Sequence, residues 1–159
     1  MARDWVTVYL GLGANLGDAR QAVLKAIESL SDLPQTRSLA RSALYCSSPV
    51  QAQGPDYINA VVQLETKLNP FELLMACQHI ENQAGRVRPY VNAPRTLDVD
   101  VLLFGDASIF SAFLQVPHPR MNERAFVLLP LRELAPQLVS VNSLANVSAQ
   151  GIRKLRADT

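Results

Sequence analysis

The chain has 159 residues, 48% of them apolar and 18% charged, and 15 Lys plus Arg against 14 Asp plus Glu leave a net charge of +1. That length suits one domain over residues 1–159, and the charged share lies below the usual ~25%, which excludes a disordered tail, a coiled coil or a polyanion binder acting through its whole-molecule field. Cys46 and Cys77 lack the C-x-x-C spacing of a structural zinc site and read as reduced thiols. No apolar run approaches the ~20 residues of a membrane span, and the N-terminus lacks a signal peptide's apolar stretch. A cytoplasmic chain with no membrane partner is expected.

In chain order, Trp5 to Gly11 mixes β-branched and aromatic residues and reads as a strand stopped by glycine. From Asp18 the period changes, and Ala19, Ala22, Val23, Ala26, Ile27 and Leu30 line one face of a helix ending before Pro34. Leu39 to Cys46 and Tyr57 to Lys67 read as the next two strands, the second alternating Ile58, Ala60, Val62 and Leu64 against Asn59, Val61 and Gln63. Asn69-Pro70 opens a second helix, a capping residue before a proline at the first helical position, and Gly85 stops it. Leu97 to Phe104 is a fourth strand, and residues 105–121 read as loop or short edge pieces. Asn122 is the predicted cap of a third helix through Leu129, with Pro130 forcing an irregularity. A short strand near Leu138 to Val141 and a polar tail complete the reading. The order β-α-β-β-α-β predicts an α+β, ferredoxin-like sandwich, a mainly antiparallel sheet with helices on one face.

The chemistry concentrates in Pro94-Arg95-Thr96-Leu97-Asp98-Val99-Asp100-Val101. Residues two apart on a strand share a face, so Leu97, Val99 and Val101 point into the core while Asp98 and Asp100 stand side by side on the other face. Two carboxylates held this close repel each other unless a cation sits between them or one is protonated. A hard divalent ion of the Mg²⁺ kind, completed by phosphate oxygens, suits them. A solvated sheet face also carries a bare D-x-D. The arginines Arg86, Arg88 and Arg95 just upstream tilt the reading to a nucleotide phosphate site, with acids for the metal and guanidiniums for the phosphates.

No G-x-x-x-x-G-K-[ST] loop is present, and Gly11-Leu12-Gly13-Ala14-Asn15-Leu16-Gly17 lacks the spacing of a dinucleotide fingerprint, so these glycines read as a tight turn and helix entry. Tyr57 and Asn59 share a strand face, which suits a planar heterocycle stacked on the ring and bonded by the amide; a packed tyrosine and a turn asparagine fit as well. His118 lies between prolines with Arg120, Arg124 and Phe126 following, whereas His79 reads as a surface or structural residue. An RNA-recognition module shares the strand order, but two aspartates on a central strand would repel phosphate, and no nucleic-acid partner is expected.

Five blocks in the same order, Gly11-x-Gly13-Ala14-Asn15-Leu16-Gly17-Asp18, Pro55-Asp56-Tyr57-Ile58-Asn59-Ala60, Gly85-Arg86-Val87-Arg88, Pro94 to Asp100, and Val116-Pro117-His118 with Arg124 and Phe126, resemble the 6-hydroxymethyl-7,8-dihydropterin pyrophosphokinases of folate biosynthesis. The resemblance implies a ferredoxin-like enzyme that uses two Mg²⁺ ions and ATP as co-substrate to place a pyrophosphoryl unit on a pterin hydroxymethyl group. It implies that Asp98 and Asp100 bind both metals. Tyr57 and Phe126 would sandwich the pterin, Asn59 would read its amide edge, and groups near Ser47 and Val50 would complete the pocket. Gln78 and Glu81 would contact ATP, while Arg86, Arg88, Arg95, His118 and Arg124 would grip the triphosphate or steady the transferring charge, Arg86 and Arg95 as catalytic residues. A monomer is the default. The chain departs from the family pattern at Gln51, at Tyr90 to Asn92 where a tryptophan is usual, and at Phe113 and Pro119.

Overall fold

The computed structural model describes residues 3–48, 55–85 and 97–156. The alternating apolar residues build one sheet around β1 (Val6–Ala14), which pairs antiparallel with β4 (Tyr57–Thr66) on one side and β5 (Asp98–Phe104) on the other. Beyond β4 lie two short strands in line, β2 (Thr36–Arg41) and β3 (Tyr45–Ser47), and β3 pairs in turn with a C-terminal strand, β8 (Ile152–Lys154). Helices α1 (Ala19–Ser31) and α2 (Pro70–Ala84) connect β1 to β2 and β4 to β5. This is the βαββαβ order of the ferredoxin-like fold, every sheet neighbour antiparallel. A hairpin of β6 (Ile109–Phe110) and β7 (Gln115–Val116) follows β5, then α3 (Ala125–Leu134) and α4 (Val141–Asn146).

The sheet is covered on both faces. Leu10, Leu12, Ala60, Val62, Leu64, Val99 and Val101 face α1 and α2, packing on Val23, Ile27, Leu30, Leu73 and Ile80. The alternate residues Tyr9, Val61 and Leu102 face α3 and pack on Val127 and Leu131. The sequence reading put the helices on one face; α3 takes the other because β4 is apolar on both sides, with Val61 between Ala60 and Val62. Leu10, Leu30, Leu64 and Leu73 are each essentially fully buried, a contribution of about 1.5–3 kcal/mol apiece.

Local departures have local causes. The second strand divides because Ser42 replaces ladder pairing with its side chain: its N–H donates to the Val61 carbonyl at 2.9 Å and its Oγ accepts from the Val61 N–H at 3.0 Å. The third helix runs through Pro130 to Leu134 instead of stopping at Leu129. A proline inside a helix costs ~3 kcal/mol or more, which the burial of Val127, Leu128 and Leu131 offsets. Asn122 is not its cap; Arg124 holds that position without a side-chain cap bond. No strand forms at 138–141, since Ser140 Oγ accepts from the Ser143 N–H at 3.0 Å and starts α4. Among the described residues the fourth strand, read as central, is the sheet edge: its outer side is occupied by the Glu81 carboxylate on the Val99 N–H at 2.9 Å and by the His118 N–H on the Leu102 carbonyl at 2.9 Å. Among the described residues, no helix is long and apolar enough to cross a membrane.

Candidate active site

The site is built on the α3 face of three neighbouring strands. Register places Asp98 opposite Gly13 and Asp100 opposite Gly11 across β5 and β1, while Gly13 faces Asn59 and Gly11 faces Val61 across β1 and β4. The two aspartates and the asparagine therefore flank a floor with no side chains. A Cβ on Gly13 would stand 3.0 Å from Asn59 Nδ2, and one on Gly11 3.4 Å from Leu102 Cδ1. The glycines read as a tight turn belong to β1; the turn uses Gly17, whose φ of 59° an L side chain rarely adopts, and Asp18 caps α1 with its carboxylate on the Gln21 N–H at 3.1 Å.

Above this floor opens a cleft of about 360 Å³ lined by Asp98, Asp100, Tyr57, Asn59 and Ser47 from the strands and by Arg124 and Phe126 at the start of α3. Ser47 and Asn59 are buried, 6% and 3% exposed, and the Ser47 hydroxyl donates to Asn59 Oδ1 at 2.6 Å. That bond leaves the Asn59 Nδ2 side over Gly13. Arg124 Nη1 lies 4.0 Å from Asp100 Oδ2, and its guanidinium carbon 5.4 Å from the Phe126 ring centre. Tyr45, whose hydroxyl donates to Glu133, ties β3 to α3, and burial raises its pKa above the ordinary tyrosine value.

His118 stands beside the cleft, not on its lining, within electrostatic reach of Asp100. Burial lowers its pKa, Arg124 and Arg120 act the same way, and Asp100 opposes them. Its Nδ1 accepts from the Arg120 N–H at 3.1 Å, which leaves Nε2 as the donor of a neutral ring. Gln78 is exposed on α2, and Glu81 on the same helix holds the outer edge of β5; neither lines the cleft. Arg86, Arg88, Arg95 and Val50 lie outside the described residues, as do Gln51 and Tyr90 to Asn92. Cys77, pushed up to about 12 by burial with Glu81 and Asp100 acting the same way, is a core side chain and no nucleophile.

The fit to Mg²⁺ rests on donor chemistry. Asp98 and Asp100 line one open cleft with Glu123 on its wall, and among the described residues no three His, Cys, Asp or Glu side chains are grouped closely enough to hold a metal by themselves. Such a set suits a hard cation that retains water and takes phosphate oxygens, and not a fully protein-caged metal. Sequence reasoning missed several lining residues: Gly11 and Gly13 as the floor, and Ser48, Arg120, Glu123 and Gln150 on the walls. The glycines had a signal, since two of them two apart on a strand clear one face. Gln150 had none, being remote in sequence from every motif.

The sequence profile of the family described as 7,8-dihydro-6-hydroxymethylpterin-pyrophosphokinase (HPPK) matches residues 9–136. The chain belongs to this family. The chain is 47% identical over 132 residues to the 2-amino-4-hydroxy-6-hydroxymethyldihydropteridine pyrophosphokinase of Pseudomonas aeruginosa, covering 82% of each protein. With the enzyme of the same name from Haemophilus influenzae it shares 42% identity over 139 residues, 87% of each chain. A crystal structure of Plasmodium falciparum HPPK-DHPS with pteroate matches the fold at a TM-score of 0.67 and 15% identity, over 83% of this chain and 39% of that one. The chain thus spans about two fifths of that larger protein.

Proposed function

We propose that the chain transfers the terminal pyrophosphoryl unit of ATP to the hydroxymethyl oxygen of 6-hydroxymethyl-7,8-dihydropterin, giving the pterin diphosphate and AMP in folate biosynthesis. The observation that carries this is the shared cleft: Asp98 and Asp100 face the same space as Tyr57, Asn59 and Phe126. One end of the cleft suits cation and phosphate, the other a flat, amide-edged heterocycle.

In this reading the pterin ring lies between Tyr57 and Phe126, and Asn59, oriented by Ser47, offers its amide to the ring edge, with Val50 completing the pocket. Two Mg²⁺ ions on Asp98 and Asp100 supply charge neutralisation and polarisation of the triphosphate oxygens when bound. The hydroxymethyl oxygen attacks the β-phosphorus, the bond from that phosphorus to the α-bridging oxygen breaks, AMP leaves, and the hydroxyl proton passes to solvent. Arg124 offsets negative charge gathering on the transferring group, and the neutral His118 donates from Nε2. Gln78, Glu81 and Arg88 belong to ATP binding, and Arg86 and Arg95 to the transfer. Holding two substrates in one cleft supplies much of the acceleration. The enzyme acts as a cytosolic monomer.

The test is AMP formation from ATP with and without the pterin. Pterin-dependent AMP, with pterin diphosphate in equal amount, supports the reading; ADP formation, or AMP release indifferent to pterin, overturns it. The glycine floor gives a sharper expectation. In Gly13→Ala the new Cβ meets Asn59 Nδ2 at 3.0 Å and shifts the amide by a few tenths of an ångström. The KM for pterin rises roughly tenfold while the KM for ATP stays near that of the parent, as steady-state kinetics with each substrate varied will read.

A further inference from the structure

Resting on the pyrophosphokinase reading, we propose that Gln150, beyond the family match at 9–136, is a positioning residue that sets Arg124 and Phe126 against the cleft. The opening N–H groups of a helix have no partner within it, and α3 has no side-chain cap of its own. Gln150 closes this gap from the C-terminal tail. Its Oε1 accepts from the Ala125 N–H at 2.9 Å, and its Nε2 donates to the Glu123 carbonyl at 2.8 Å. Those two backbone groups flank Arg124, so one carboxamide fixes the peptide planes on both sides of the arginine and the entry into Phe126.

The tail carrying Gln150 is itself tied to the opposite wall. The Ser48 N–H donates to the Gly151 carbonyl at 3.1 Å, and β8 sets Ile152 opposite Ser47. Gly151 is close-fitted there, since a Cβ on it would stand 3.2 Å from Ser48 Oγ. The tail therefore straps the start of α3 to the strand bearing Ser47, and sets the spacing between the two walls of the cleft. Gln150 lines that cleft, yet both ends of its carboxamide are engaged by backbone, so it acts through Arg124 and Phe126.

The test compares Gln150→Ala, Gln150→Met and Lys154→Ala in the full chain. Methionine keeps the side-chain length and loses both hydrogen bonds. Lys154→Ala removes another contact of the same tail, its ion pair with Glu133 at 3.7 Å, and leaves the carboxamide and the Ser48–Gly151 bond in place. Pterin-dependent AMP release, calorimetric pterin binding and the thermal midpoint are measured for each. Both Gln150 variants are expected to lose roughly tenfold in kcat/KM for pterin, through a raised KM and a lowered kcat, and to bind pterin more weakly, with Lys154→Ala parent-like. A Gln150 variant within about twofold of the parent in both kinetics and binding overturns the assignment, as does an equal loss in Lys154→Ala. A parent that binds pterin in a Gln150-dependent manner without releasing AMP unseats the activity and leaves the positioning role standing; a parent that does not bind pterin overturns both.

Discussion

Asp98→Ala and Asp100→Ala each lower kcat for pterin-dependent AMP release by about 10³-fold or more, since neither carboxylate can replace the other on its own row of the sheet. Asp98 stands opposite Gly13 and Asp100 opposite Gly11, and the glycines bring no donor that could take over. The asparagine variants separate charge from shape: Asp100→Asn keeps the side-chain outline, so a loss as deep as that of alanine assigns the effect to charge. A magnesium titration should show the apparent metal requirement moving upward in both. The thermal midpoint, measured alongside in each variant, reads any loss of folding separately from the loss of turnover. Turnover within tenfold of the parent in either alanine variant would sink the metal assignment.

How much of this was legible in the sequence follows from where the causes lie. Periodicity is local, so α1, α2, β4 and the facing of Leu97, Val99 and Val101 against Asp98 and Asp100 were readable from adjacent residues. The second face of the sheet was not, because it is made by a helix whose start is stabilised from 25 residues away, through Gln150 on the Ala125 N–H. Pro130 misled for a similar reason: a local breaker is overridden by apolar burial that only the tertiary fold supplies. The glycine motif misled through chemistry, since glycine marks a turn and equally marks a strand face that must stay clear. Here Gly17 performs the first role and Gly11 and Gly13 the second. Of the site residues, Ser47, Tyr57, Asn59, Asp98, Asp100, Arg124 and Phe126 come together in one cleft, while Gln78 and Glu81 sit on the far side of the sheet edge.

Asn59→Asp should be the most selective lesion of the pterin end. The residue is 3% exposed, and its Oδ1 already accepts the Ser47 hydroxyl at 2.6 Å, so the amide cannot turn without stranding a buried polar group. Its Nδ2, over Gly13, is the atom left to donate to a ring acceptor. Aspartate keeps the size and the Ser47 bond and exchanges that donor for an acceptor. A buried site made for one hydrogen-bond pattern rejects a mismatched one strongly, so kcat/KM for pterin falls by ~10²-fold or more, with the KM for ATP near that of the parent. Ser47→Ala tests the orientation separately. It removes the bond that holds the amide, and an unsatisfied Oδ1 costs about 1–3 kcal/mol unless the amide flips. A flipped amide presents the wrong group, and Ser47→Ala then shows the same substrate selectivity of the defect as Asn59→Asp, at smaller size. If Asn59→Asp binds the pterin as tightly as the parent in a calorimetric titration, the ring edge is read by other groups and Asn59 is only a packed strand residue.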